Sequence, residues 1–205
     1  MLMWVGMENQ VRKYQITRSR ITQLSANGDL YLRYVPLLKW TLAHNGGHRY
    51  GVMTTNLSKS FNGILKSARY LPITMLVELT YYRCVAYFAN RSTKARIEVI
   101  AGELITAYAR NKFNKFSHED GLFEVRTPVN PNSTYKGNHC HEVNIRQRTC
   151  SCQKWQVYKI PCSHVIAVCK YQSIFAMRYI DRCYHLEEQV AYYGPRFRLV
   201  TDSVH

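Results

Sequence analysis

No stretch of this sequence approaches the roughly 20 consecutive apolar residues that a membrane-spanning helix requires, and Arg and Lys interrupt every apolar region. A targeting signal is not read either. Met1 to Met7 is apolar but covers only about two turns at the helical period, with no basic flank and no small-residue cleavage site. The even cysteine framework of a small secreted scaffold is also missing, because the seven cysteines are odd in number and two of them are separated by a single residue. A soluble protein of a reducing intracellular compartment is therefore expected, with no membrane partner. Acidic residues are scarce: 13 Asp plus Glu face 28 Lys plus Arg, for a formal charge of +15. Solubility alone does not need that excess, so polyanions become the default partner class. There is no internal repeat or low-complexity tract.

What is present suits a globular chain. Its 205 residues are 46% hydrophobic and 20% charged, enough for one modest domain and a small appendage. The charge is uneven. Residues 1 to 118 hold 17 basic and 5 acidic groups, whereas 119 to 205 hold 11 and 8, so most of the electrostatic attraction lies N-terminal to the main cysteine cluster.

The lead-in, residues 1–50, has an amphipathic start (Val11, Tyr14, Arg18, Ile21), a turn at Asn27-Gly28-Asp29 and an apolar run from Leu30 to Leu42. Thr54, Thr55 or Asn56 offers a cap for a helix whose apolar stripe is Leu57, Phe61, Ile64, Leu65 and Ala68. Pro72 suits the first turn of a second helix with Ile73, Leu76, Val77, Tyr81, Cys84, Val85 and Phe88 on one face, and these two helices are expected to pack together. A third, more basic helix is expected from about Thr93 to Asn111. After Asp120-Gly121 the pattern turns β-rich over Leu122 to Val129, and Asn130-Pro131-Asn132-Ser133 punctuates it. Alternation from His139 to Arg148 predicts a half-buried strand that completes a hairpin feeding the cysteines. Ser163 can cap a short helix through Val165, Ile166, Val168 and Cys169, before a Tyr-rich tail.

The pattern Cys150-Ser151-Cys152, nine residues, then Cys162-Ser163-His164 puts two tight ligand pairs on either side of a loop long enough to fold back on itself. Thiolate and imidazole are ligands that zinc prefers. Four of them leave no open position, which favours one structural Zn²⁺ over a catalytic ion. The one-residue spacing works if the first pair ends a strand and the second enters a helix. Three thiolates around a dication leave a charge of about −1, and Arg146, Arg148, Lys154 and Lys159 lie near enough in sequence to offset it. The alternatives are buried thiols beside a satisfied histidine, or a disulfide, though Cys150 and Cys152 are too close for an ordinary bridge with each other. His139, Cys140 and His141 are read as strand packing rather than a second metal site. Cys84, Cys169 and Cys183 are read as core thiols, and Trp155 as a core residue.

These residues resemble a known family. Cys150-x-Cys152 to Cys162-x-His164 is similar to the SWIM-type zinc finger, and Cys152-Gln153-Lys154-Trp155-Gln156 through Ile160-Pro161-Cys162-Ser163-His164 resembles its form in plant Mutator-like transposases. Upstream, Trp40, Gly46-Gly47-His48-Arg49-Tyr50-Gly51, Met53-Thr54-Thr55-Asn56, Ser60-Phe61-Asn62 and Ala68-Arg69-x-Leu71-Pro72-Ile73 resemble the end of the transposase catalytic domain. The resemblance covers about residues 35 to 190. It implies an α+β fold: a helical N-terminal part, the end of a ribonuclease H-like domain, followed by a small β-hairpin, zinc and helix module. The implied divisions are a lead-in (1–50), a helical remnant (51–118), the SWIM module (119–190) and a tail (191–205).

Such nucleases use three carboxylates to hold two metal ions. In the family, the motif after Thr-Thr-Asn carries a glutamate where this chain has Lys59, a cation that repels Mg²⁺. The sheet and both catalytic aspartates would precede residue 1. The expectation is therefore a chain without catalytic residues and inactive as a transposase by itself, with no small-molecule substrate and an apolar helical face left open to self-association. The expected function is zinc-dependent DNA binding in the nucleus, with Arg146, Arg148, Lys154 and Lys159 on phosphates. The alternatives are a zinc-dependent protein interaction module, or a decayed element without a selected function.

Overall fold

Helices make up nearly all the regular structure of the computed structural model, which describes residues 2–53, 62–63, 66, 70–118 and 141–195. In chain order they are α1 (Leu2–Met7), α2 (Val11–Leu24), α3 (Ala26–Tyr34), α4 (Leu37–Trp40), α5 (Ile73–Ile100), α6 (Ala107–His118), α7 (Lys154–Tyr158), α8 (Ser163–Tyr171) and α9 (Leu186–Tyr193). Strands β1 (Val143–Asn144) and β2 (Thr149–Cys150) form a two-stranded antiparallel sheet before α7, pairing Val143 with Cys150 and Asn144 with Thr149. The fold is thus mostly helical with one small sheet beside the cysteines. Among the described residues, no helix is long and apolar enough to cross a membrane.

The chain forms two compact units, each discontinuous in sequence: Met1–Met53 with Tyr108–Asp181, and Thr54–Ala107 with Arg182–His205. In the first unit, Val5, Tyr14, Ile21 and Leu32 make a buried cluster, with Leu37, Trp40 and Ala43 packed on it. The amphipathic spacing of Tyr14 and Ile21 produces this cluster, because residues seven apart share one face of α2. The turn expected at Asn27-Gly28-Asp29 is instead the first turn of α3. Ser25 caps it, its hydroxyl accepting the Gly28 N–H at 3.1 Å, and a capped helix uses turn-forming residues readily in its first turn. Asp29 is buried there between Arg18 (3.2 Å) and Arg33 (3.0 Å). Burial pushes its carboxyl up, but hydrogen bonds and charge from Arg33 and Arg18 outweigh that and hold it below the ordinary carboxylate value.

In the second unit, α9 lies along α5, with Phe88 stacked on Tyr192 at 6.4 Å and edge-on to Tyr193 at 5.4 Å. Thr106 N–H donates to Tyr184 O and Leu186 N–H to Leu104 O, around an isolated bridge between Ile105 and His185. Helix α5 starts after Pro72, as the sequence predicts, but runs on for 28 residues. The helix expected from Thr93 to Asn111 does not exist as one piece. Gly102 adopts φ +81° and donates to Val99 O, and Glu103 N–H donates to Glu98 O; this paired closure ends α5, and α6 begins at Ala107. The expected stripe is half-buried at Leu76, Tyr81, Cys84, Val85 and Phe88, while Ile73 and Val77 stay exposed. Ala95 is the one residue of α5 that is buried.

The helix expected near Leu57 to Ala68, Lys59, the β-rich run from Leu122 to Val129, His139 and Cys140 lie outside the described residues, apart from isolated positions within the first of these segments. The strand expected over His139 to Arg148 is shorter than its alternation suggested. Ile145 to Arg148 form the turn of the hairpin, because Asn144 Oδ1 accepts the Gln147 N–H at 2.9 Å and reverses the chain there.

Candidate metal centre

Strand β2 ends on Cys150, and α8 begins one residue after Cys162, so the two ligand pairs enter the site from a strand and from a helix start, as their spacing requires. Ser163 does not cap α8. Cys162 holds the cap position, and the Ser163 hydroxyl is buried with no hydrogen-bond partner among the described residues. Between the pairs, α7 is closed at both ends by left-handed residues, Gln153 (φ +61°) and Lys159 (φ +58°), which fold the nine-residue loop back on itself.

The ligand atoms of Cys150, Cys152, Cys162 and His164 all lie within 4.8 Å of one another. Cys152 Sγ is 3.5 Å from Cys162 Sγ, and His164 Nδ1 is 3.7 Å from Cys150 Sγ and 3.8 Å from Cys162 Sγ. A tetrahedron with Zn–S bonds of about 2.3 Å has sulfur–sulfur edges of about 3.75 Å, so these separations are those of one four-ligand zinc site. They are also far beyond the roughly 2.05 Å of a disulfide, and these cysteines are free. The donor set and the geometry both fit Zn²⁺: Cys150, Cys152, Cys162 and His164 are positioned to bind it.

Protonation follows from the crowding. The Cys152 thiol is held far below the usual range by its hydrogen-bonding contacts with the Cys150 and Cys162 thiols. Donating to Cys152 in turn pushes Cys150 up to about 12, and Cys162 is pushed up by Cys150 and Cys152 together. Three thiolates this close repel unless a dication sits among them.

Residues 135–172 match the SWIM zinc finger. No curated protein and no solved structure matches the chain.

Several residues that support this finger were not singled out from the sequence. Gln156 pins the first ligand: its Oε1 accepts the Cys150 N–H at 3.2 Å and its Nε2 donates to Cys150 O at 3.0 Å. One side chain thus imitates a strand partner. Outer residues of this kind typically change metal affinity by about 10–100-fold. Gln156→Ala is therefore expected to weaken zinc binding by about tenfold in a competition titration with a chromogenic chelator, and an unchanged affinity would count against the role. Ser151 Oγ accepts the Glu142 N–H at 3.0 Å and lies 3.0 Å from His141 Nδ1. His141 is not buried in a strand: it is exposed, and its ring lies 4.0 Å from that of His164. Partial desolvation of its ring, followed by the nearby His164, lowers its pKa.

The loop Gly46 to Gly51 packs on α7. A Cβ on Gly51 would stand 2.0 Å from the Tyr158 ring, and one on Gly47 would stand 2.2 Å from Gln156 O. The glycine-rich motif thus matters as a surface on which α7 rests. The signal in the sequence was the glycine pair itself, but only the packed partner shows why a side chain is excluded.

The four basic residues expected to meet phosphates point to different surroundings. Arg146 and Arg148 are exposed on the hairpin turn. Lys154 reaches over the Phe116 ring at 5.3 Å, and Lys159 is half-buried beside Gly47. Trp155 is 2% exposed, a core residue as expected, and Cys169 is fully buried, while Cys84 is half-buried. Cys183 departs from its expected place in the core. It lies exposed in a short 3-10 turn (Arg182–Tyr184) with no buried residue.

Proposed function

We propose that this chain is a zinc-dependent DNA-binding protein derived from a Mutator-like transposase, and that it lacks that family's catalytic carboxylates. The observation that carries the reading is the charge of the finger's surface. Residues 141–181 hold six Lys or Arg and two acidic residues, and Arg146 and Arg148 stand exposed on the hairpin turn beside the zinc ligands. Cations presented on a rigid turn suit phosphates, which give affinity with little sequence choice. A nuclear location goes with this reading. So does the lack of strand transfer by the chain alone, since Lys59 stands where the family has a glutamate; metal-dependent nicking of DNA by the purified chain would overturn that part.

Metal analysis beside DNA titration tests the rest. One zinc per chain is expected. With Arg146, Arg148, Lys154 and Lys159 on phosphates, the logarithm of affinity should fall with the logarithm of salt with a slope of roughly −3 to −4, and chelator should abolish binding. A flat salt response, or binding indifferent to chelator, defeats the proposal.

A protein-interaction role is the second reading, favoured by α5. Ile73 (80%) and Val77 (63%) are exposed at the start of that helix and Ile97 (60%) and Ile100 (84%) at its end, two small apolar pairs of the kind a partner chain can cover. Salt-insensitive association of the chain with itself supports this reading.

A further inference from the structure

We infer that Arg148 and Arg178 form a paired phosphate site across the ring of Tyr179, so that the finger grips a DNA backbone with a residue beyond its matched segment. The inference rests on the DNA-binding reading above and adds to it a place and a partner residue. Arg178 and Tyr179 belong to a 3-10 helix (Ala176–Tyr179) that follows α8 and lies outside residues 135–172.

The two guanidiniums come from separate elements to one ring. The Arg148 guanidinium lies 6.0 Å from the Tyr179 ring centroid, and that of Arg178 lies 5.7 Å from it. Both arginines are exposed, and neither has an ion pair with a carboxylate among the described residues. A tyrosine face attracts a cation weakly at an exposed site, which orients both side chains without neutralising either. An anion received by both would do so, and a phosphodiester matches the planar donor fork of arginine.

The platform is fixed from below. Trp155, in the finger core, meets Tyr179 edge-on at 5.9 Å and 82°. The Asp181 N–H donates to Lys159 O at 3.0 Å, tying the segment after Tyr179 to the end of α7. On the other side, Arg148 closes the hairpin turn in the left-handed region, at φ +53°. A non-glycine residue is strained there, and glycine would adopt the same backbone freely. Here the position carries the longest cationic side chain, and that side chain is aimed at the shared ring. With its ring engaged by two guanidiniums and an indole, Tyr179 acts as a spacer rather than a base-stacking surface, so the site reads backbone charge and not sequence.

The test uses the zinc-loaded full chain and fluorescence anisotropy on short duplexes of two unrelated sequences, across about 50 to 200 mM salt. Arg178→Ala and Arg148→Gly should each weaken binding to both duplexes by roughly three- to tenfold and reduce the salt slope by about 0.9. Arg148→Gly keeps the left-handed turn, so its zinc content and melting should match the parent. Arg178→Lys should retain most of the slope and lose part of the affinity. Arg20→Ala, which removes an exposed charge on α2, should change binding little. If the parent chain binds with a steep salt dependence and the two arginine variants behave like Arg20→Ala, this inference is overturned while the DNA-binding reading stands. If the parent binds no duplex, both fall. Equal losses on a polyglutamate peptide of matched charge would overturn phosphate as the ligand.

Discussion

Cys162→Ser, or removal of zinc by a chelator, is expected to unfold the finger. Cys162 is fully buried, its sulfur lies close to Cys152 and His164, and its carbonyl accepts the Ile166 N–H in the first turn of α8. Loss of this one ligand therefore opens the metal site and frees the start of the helix that carries His164. The surrounding core is small: Trp155, Val157, Ile160, Val165, Ile166 and Cys169. Structural zinc contributes about 10–16 kcal/mol in small fingers, and here it is the ion that would tie the end of β2 to the start of α8. Most of that contribution should vanish in Cys162→Ser. Zinc analysis should find less than one equivalent bound, and amide exchange should show α7 and α8 unprotected. A chain that melts cooperatively in chelator at its zinc-loaded temperature would falsify the structural role of the metal.

Gly51→Ala should rank with Gly47→Ala among the most damaging changes of a single methyl group outside the zinc ligands. Two costs combine. The backbone at φ +77° resists a side chain, and the added carbon would stand 2.0 Å from Tyr158 Cε1. Left-handed strain costs about 1–2 kcal/mol and overpacking about 1–3 kcal/mol, so a loss of about 2–5 kcal/mol is expected from urea unfolding. The two parts separate in a double-mutant cycle. Tyr158→Ala removes the ring that the methyl would strike, so in that background Gly51→Ala should retain only its backbone cost. Strict additivity would mean that the loop does not pack on α7 as described, and an unchanged urea midpoint for Gly51→Ala would mean that neither cost exists.

Much of the metal site was legible in the residues because its chemistry is local. Cys150, Cys152, Cys162 and His164 are the right atoms at the right spacing, and a strand end facing a helix start was already the geometry that spacing required. The amphipathic period of α2 and the proline before α5 were legible for the same reason, since both depend on neighbours within a few turns. Boundaries were less so. The break at Gly102 and the cap at Ser25 depend on one or two local hydrogen bonds, which a continuing apolar pattern hides from view. Helical periodicity over Ile97, Ile100, Leu104 and Ile105 says nothing about whether the chain turns between them.

By itself the sequence determined the ligand set, its tetrahedral capacity, the basic balance and a helical N-terminal part, because these follow from side-chain chemistry and short-range spacing. Tertiary structure alone decided that Gln156 holds Cys150, that Gly47 and Gly51 leave room for α7, and that Arg148 meets Arg178 over Tyr179. Each of those contacts joins residues that are brought together only when separate elements pack, and no spacing along one chain encodes which distant surface will arrive.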